Sequence, residues 1–247
     1  MDTSFDIEKH LEEEHATTSN PFVGYLKEIV YGGVDGIVTT FAVVAGFAGA
    51  QATVNQYPII IVALFGLANL FADGVSMALG SFLSLRSEQD LYRLERDKER
   101  LEIANSPKIE SMETIEILKR KGYSDPDAKA MTALYRKNKD YWADFMMHHE
   151  LEIANPLGEN PIKVGVATLV AFVIFGFIPL VPYLFLANTG IPLFTVSCIG
   201  AGLALLTLGV LRWKITKEAI VRSIGETVLV GTVAASVAYI VGSFFRI

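Results

Sequence analysis

The sequence predicts an all-α membrane protein: five transmembrane helices, with a three-helix cytoplasmic insert between the second and third. Three observations predict it. Ile29–Leu85 holds no Lys or Arg and only two acids, Asp35 and Asp73, while Val164–Leu211 holds no charge and Ser223–Phe245 only Glu226. A water-soluble fold of 247 residues needs charge on the outer face of nearly every element, and these stretches supply none. The charge is instead concentrated in Arg86–Lys163, with 14 basic and 16 acidic residues. A hydrophobic content of 51% and a mean hydropathy of +0.39 agree with that division. The net charge of −6 and pI of about 5.3 argue against nucleic acid as a partner. Cys198 is alone, so no intrachain disulfide is expected. The first twenty residues are acidic and lack an apolar run, so no cleavable signal is expected.

A bilayer core about 30 Å thick needs about 20 apolar residues per helical span. Ile29–Ala50, Pro58–Leu85, Val164–Ala187, Ile191–Leu211 and Ile224–Phe245 meet that length. The links AQATVNQY and NTG are short and uncharged, whereas RWKITKEAIVR carries Arg212, Lys214, Lys217 and Arg222 against Glu218. Basic links stay on the cytoplasmic side, which places this link, the insert and the N-terminus inside and the C-terminus outside. The expected organisation is an acidic flexible tail (1–22), two spans (23–86), a cytoplasmic helical domain (87–160) and three spans (161–247). Within the insert, the second span continues as one rod with Leu91, Leu94 and Leu101 helically spaced. A second helix follows Pro107 and ends at Gly122. A third starts at the cap SDPD and runs to about Ala154, and Pro156 and Pro161 lead back to the membrane.

Charge inside a membrane costs several kcal/mol even by insertion scales and is usually placed for function. Asp35 lies in YGGVDGIVTTF near the start of the first span, and Asp73 lies in LFADGVSMALGSFLS in the second. Met77 is one turn beyond Asp73 on the same face, so carboxylate oxygen and thioether sulfur together suit a borderline transition metal. The alternative is that Asp35 caps a broken helix, Asp73 bonds backbone and Met77 packs. Gly32, Gly33 and Gly36 surround Asp35, and Gly46 and Gly49 form a small-residue ridge; close packing and a helix break account for these equally. In the insert, Glu95, Glu99 and Glu102 share one helix face, Glu110 and Glu113 another, and Met146, Met147 and Glu150 one turn of a third. Three helices can aim these at one centre, or the acids can form a solvated face interleaved with Arg96, Lys98 and Arg100.

The pieces DGIVTTFAVVAGFAGA, ADGVSMALGSFLS and DFMMHHELEI, in this order around a charged insert, resemble the vacuolar iron transporter family from about Lys27 to Val241. The resemblance implies a five-span homodimer that exports Fe²⁺ from the cytosol in exchange for protons, along the first two spans at the subunit interface. Residue by residue it implies that Asp35 is the pore carboxylate and Met77 the pore methionine. It further implies that Glu99, Glu102, Glu110 and Glu113, with Met146, Met147 and Glu150, bind metal in the insert, and that Glu28 is an acid at the mouth of the path. Asp73 joins this set as the second acid within the spans. His148 and His149 carry no ligand role in this reading.

Other candidates lead elsewhere. Glu12 and His15 make a single E-x-x-H in the acidic tail, too little for a di-iron site. Glu226 is expected to pair with Arg222, its neighbour one turn back. No Walker loop, dinucleotide fingerprint or nucleophile motif occurs, so neither an enzyme nor an ATP-driven pump is expected. The expected function is proton-coupled Fe²⁺ export without a resident cofactor, with metal ions, protons and a second copy as partners. Mn²⁺, Co²⁺ and Zn²⁺ accept overlapping ligands, so a broader divalent exporter is the alternative, and a membrane-anchored iron-binding or ferroxidase module is the rival class. A bacterial inner membrane is the expected location, with a vacuolar membrane as alternative.

Overall fold

A computed structural model describes residues 24–50, 59–187 and 189–245. Every regular element among the described residues is helical, and five are long and apolar enough to cross a membrane. The first two spans are α1 (Leu26–Gly49) and α2 (Ile59–Asn105), the latter a 47-residue helix that continues into the charged segment. The insert adds α3 (Pro107–Arg120), α4 (Asp125–Tyr135) and α5 (Lys139–His149). The third span is α6 (Pro161–Phe177), a 3₁₀ turn (Ile178–Leu180) and α7 (Val181–Phe185); the fourth and fifth are α8 (Leu193–Thr216) and α9 (Ile220–Ser243). His10, Glu12, His15 and the link after the first span lie outside the described residues. The chain forms two compact units, one reaching Ser81 and resuming at Ile162, the other Phe82–Pro161.

In the first unit, Ile37, Val44, Val62, Leu70, Phe172, Leu180 and Leu208 form the core. Lipid tails are as apolar as these side chains, so close packing, rather than release from water, selects the arrangement. Glycine permits that closeness. A Cβ on Gly32 meets the Thr168 carbonyl oxygen at 2.7 Å, and one on Gly36 runs into the Phe172 carbonyl. At the far end of α1, Gly49 meets Tyr239 and Gly242 meets Gly46 in the same way. The glycines around Asp35 therefore seat α6 on α1, and α1 is unbroken through Asp35. Neither a helix break nor a cap at Asp35 occurs.

The third span departs from the single helix expected over Val164–Ala187. Pro179 and Pro182 lack the amide hydrogens a continuous ladder needs, and the chain tightens into the 3₁₀ turn there. Ser197 of α8 donates to the Pro179 carbonyl at 2.8 Å, meeting a polar group that lipid cannot satisfy. At the other end of the bundle, Arg222 pairs with Glu226 at 3.0 Å as expected, and Arg212 joins from α8 at 2.8 Å.

The second unit packs Ile103, Leu118, Ala128, Trp142, Phe145 and Met146 into its own core. Burying a side chain of this kind from water contributes roughly 1.5–3 kcal/mol. The Trp142 indole donates to Thr114 Oγ1 at 2.8 Å, tying α5 to α3. α3 closes where Gly122 takes a φ of +101°, and Ser124 caps α4 by accepting from the Asp127 amide. The expected third helix is two. Asn138 accepts from the Tyr141 amide at 3.1 Å and starts α5 afresh, while the polar run Arg136–Lys139 offers no apolar position to carry α4 onward. α5 stops at His149 rather than Ala154, because Glu152 turns to a φ of +55° and the Ile153 amide folds back to the Met147 carbonyl. Leu91, Leu94 and Leu101 point outward, at 52%, 54% and 62% exposure, while Tyr92, Glu99 and Ile103 are buried.

The α1–α6 contact yields a test. Gly36→Val drives a branched side chain into the Phe172 carbonyl, an overpacking cost of about 1–3 kcal/mol. Gly225→Ala, at a position with open space around it, is the control. In detergent, Gly36→Val is expected to melt well below the control, and equal melting contradicts the packing described.

Candidate metal centre

The site in the insert starts from helix ends. Ser106 and Pro107 begin α3, which puts Glu110 in its first turn, where the exposed amides of a helix N-terminus favour an anion. Glu150 caps the C-terminus of α5, the end that disfavours one. Glu99 reaches the same place from the last turns of α2. One carboxylate oxygen from each of Glu99, Glu110 and Glu150 lies within 4.8 Å of the other two. Glu99 and Glu110 are only 3% and 4% exposed, whereas Glu150 faces solvent.

No Lys or Arg among the described residues pairs with this trio. Oε1 of Glu99 and Oε2 of Glu110 are buried without a hydrogen-bond partner. The neighbouring cations are engaged elsewhere. Arg96 grips Asp144 with both arms at 2.5 and 3.2 Å, Arg100 pairs with Asp140, and Lys98 takes Glu95 at 2.6 Å. Arg96 and Arg100 on α2 thus meet Asp144 and Asp140 on α5, one turn apart on each helix, and this two-rung ladder sets the register that delivers Glu150. Burial and the charges of Glu110 and Glu150 push the Glu99 carboxyl up to about 8. Burial, then the Glu113 charge, raises Glu110, and burial followed by Glu113 and Glu102 raises Glu150. Five acids therefore share one electrostatic neighbourhood, with Glu102 and Glu113 at its exposed edge.

Buried carboxylate oxygens without donors are what a divalent cation requires, and a set of carboxylate oxygens suits hard to borderline divalent ions. Met146 and Met147 are both fully buried; the Met146 sulfur accepts from Thr114 at 3.3 Å within the core. His149 packs its ring on Phe145 and His148, and burial lowers its pKa, ahead of the His148 and Lys121 charges. Glu95, held by Lys98, is part of a solvated ion pair.

Within the spans, Asp35 is half-buried on α1, and its carbonyl accepts from Thr39 at 2.8 Å. Asp73 of α2 is likewise half-buried. Met77, one turn beyond Asp73, packs half-buried against the span core. Glu28 is buried in the first turn of α1, at 8% exposure. Of the five insert acids singled out as metal ligands in the sequence, the structure brings Glu99, Glu110 and Glu150 together and leaves Glu102 and Glu113 exposed beside them. What the sequence expectation did not single out is the Arg–Asp ladder, whose trace in the sequence is a pair of arginines and a pair of aspartates each four apart.

The profile that matches residues 26–243 is that of the VIT family, and this match spans both groups of acids. The chain belongs to the VIT family. Relatives in that family align end to end. A vacuolar iron transporter of Toxoplasma gondii is 34% identical over 256 residues, covering 99% of this chain and 82% of that one. Vacuolar iron transporter 1 of Arabidopsis thaliana is 31% identical over 237 residues (96% and 92%), and a vacuolar iron transporter of Centaurea cyanus is 33% identical over 237 (95% and 93%). The chain is thus similar to VIT proteins over its spans and its insert alike.

The insert carboxylates give a pH signature. A folded-state pKa of about 8 for Glu99, above its ordinary 4.5, contributes stability that is complete below about 4.5 and lost as pH rises through 8. Hydrogen exchange of the full-length, metal-free protein should show α3 and α5 opening more readily at pH 8 than at pH 6, after correction for intrinsic rates. Divalent metal at pH 8 should restore protection, and Glu99→Gln should flatten the pH dependence. Protection of the metal-free wild type that rises with pH contradicts this electrostatic account.

Proposed function

We propose that this chain exports Fe²⁺ from the cytosol in exchange for protons, as a homodimer. The observation that carries the reading is the presence of two acids, Asp35 and Asp73, in two membrane-crossing helices that carry no other charge between Ile29 and Leu85. Two like charges in such a place are costly unless each can trade its charge for a proton or share a cation. A group that holds one or the other in turn couples the two flows by simple competition. Met77 adds a thioether that favours softer divalent ions over Ca²⁺ and Mg²⁺. Glu28, buried where α1 begins, is the acid at the mouth.

The insert collects the cargo. Glu99, Glu110 and Glu150 form the inner donor set, Glu102 and Glu113 attract the ion, and Met146 and Met147 complete the soft side. Iron as cargo is supported by the relatives named vacuolar iron transporter. The basic link with Arg212, Lys214, Lys217 and Arg222 supports a cytosolic insert, since the third and fourth spans return the chain to the same side.

Two observations support a second copy. On the membrane-spanning part of α2, Ala68, Ala72, Ser76 and Gly80 are exposed and four residues apart, a ridge of the kind that lets helices pack closely. In the insert, Leu91, Leu94 and Leu101 form a separate exposed apolar stripe.

Purified protein in liposomes tests the reading. Wild type should move Fe²⁺ in response to a pH gradient, and Asp35→Asn, which keeps size and hydrogen bonding but cannot ionise, should lose at least about tenfold of that flux, one lost favourable step of about 1.4 kcal/mol. Binding of Fe²⁺ by the insert should survive in this variant. A parallel Mn²⁺ arm distinguishes an iron exporter from a broad divalent one. Wild-type liposomes without Fe²⁺ flux under any gradient overturn the carrier reading and leave a binding module.

A further inference from the structure

A cavity of about 550 Å³ lies where α1 begins, α8 ends and α9 begins. We propose that it binds an anionic glycerophospholipid, headgroup at its mouth and one acyl chain along its wall. The wall is apolar: Val30, Tyr31 and Val34 from α1 and Val230 from α9. These residues run inward along spans, while Lys27 and Arg212 sit at the helix ends, where a bilayer has its headgroups. Tyr31 and Val230 are 62% and 54% exposed, so the cavity is open to what surrounds the bundle. Its volume falls within the roughly 300–1,000 Å³ of pockets that hold small molecules.

The charge at the mouth selects the headgroup. Arg212 bonds Glu226 at 2.8 Å and Glu218 at 3.3 Å, and Arg222 bonds Glu226 at 3.0 Å, so two arginines and two glutamates cancel. One ammonium group of the lining remains. Lys27 lines the cavity and has no ion pair among the described residues. A basic pocket between helix ends at a membrane surface is how proteins select anionic lipid headgroups. A soluble anion satisfies the ammonium group but leaves the apolar wall unfilled, and a zwitterionic lipid fills the wall but brings no net charge. Glu28, Asp35, Asp73 and Met77 are not among the lining residues, so the inference stands apart from the proposed ion path.

The test uses full-length protein in mild detergent, offered phosphatidylglycerol and phosphatidylcholine with the same acyl chains, with bound lipid counted by native mass spectrometry. The first lipid retained by wild type should be phosphatidylglycerol by about fivefold or more, the preference one free cation supplies at a charged surface. Lys27→Gln should erase most of that preference. Val230→Trp, which fills the wall without touching charge, should lower retention of the first lipid altogether. Excess inorganic phosphate should leave the lipid in place. Equal retention of the two lipids by wild type, wild-type preference in both variants, or displacement of the lipid by phosphate each overturns the proposal.

Discussion

Mutual repulsion among Glu99, Glu110 and Glu150 is the constraint around which the insert is organised. Three carboxylates within 4.8 Å, two of them buried with unpartnered oxygens, cost free energy that the chain does not recover from its own groups. The surrounding structure withholds relief. Every nearby arginine on α2 is committed to an aspartate on α5, and the helix end at Glu150 has the wrong polarity for an acid. Such a site is costly with all three acids ionised, and a cation bound there would stabilise the folded insert by mass action.

The membrane unit applies the same economy differently. Its charges are few, and its stability comes from backbone contact made possible by glycine at Gly32, Gly36, Gly49 and Gly242. That tightness holds α1 continuous past Asp35, so the carboxylate is presented from the side of a helix and not from a helix end.

The five spans were legible because absence of charge over 20 or more residues is a one-dimensional property. Three features were not. The break at Ile178–Leu180 is written in Pro179 and Pro182, but hydropathy averages over proline. The start of α5 at Asn138 depends on a cap competing with helix continuation, which periodicity does not register. The outward face of Leu91, Leu94 and Leu101 shows the limit of spacing arguments: they say which residues share a face, and only packing says where it points. At the site, the sequence offers acids on three helices, but which three converge depends on the Arg96–Asp144 and Arg100–Asp140 pairs between α2 and α5.

The central claim is that the insert holds a proton where it later holds a metal. Calorimetry of anaerobic Fe²⁺ binding to the full-length protein at pH 7, repeated in buffers of different ionisation enthalpy, counts the protons released. With Glu99 raised to about 8, the account predicts close to one proton released per bound ion in wild type, with that release lost in Glu99→Gln. Tight Fe²⁺ binding with no proton release, or release unchanged by Glu99→Gln, contradicts it.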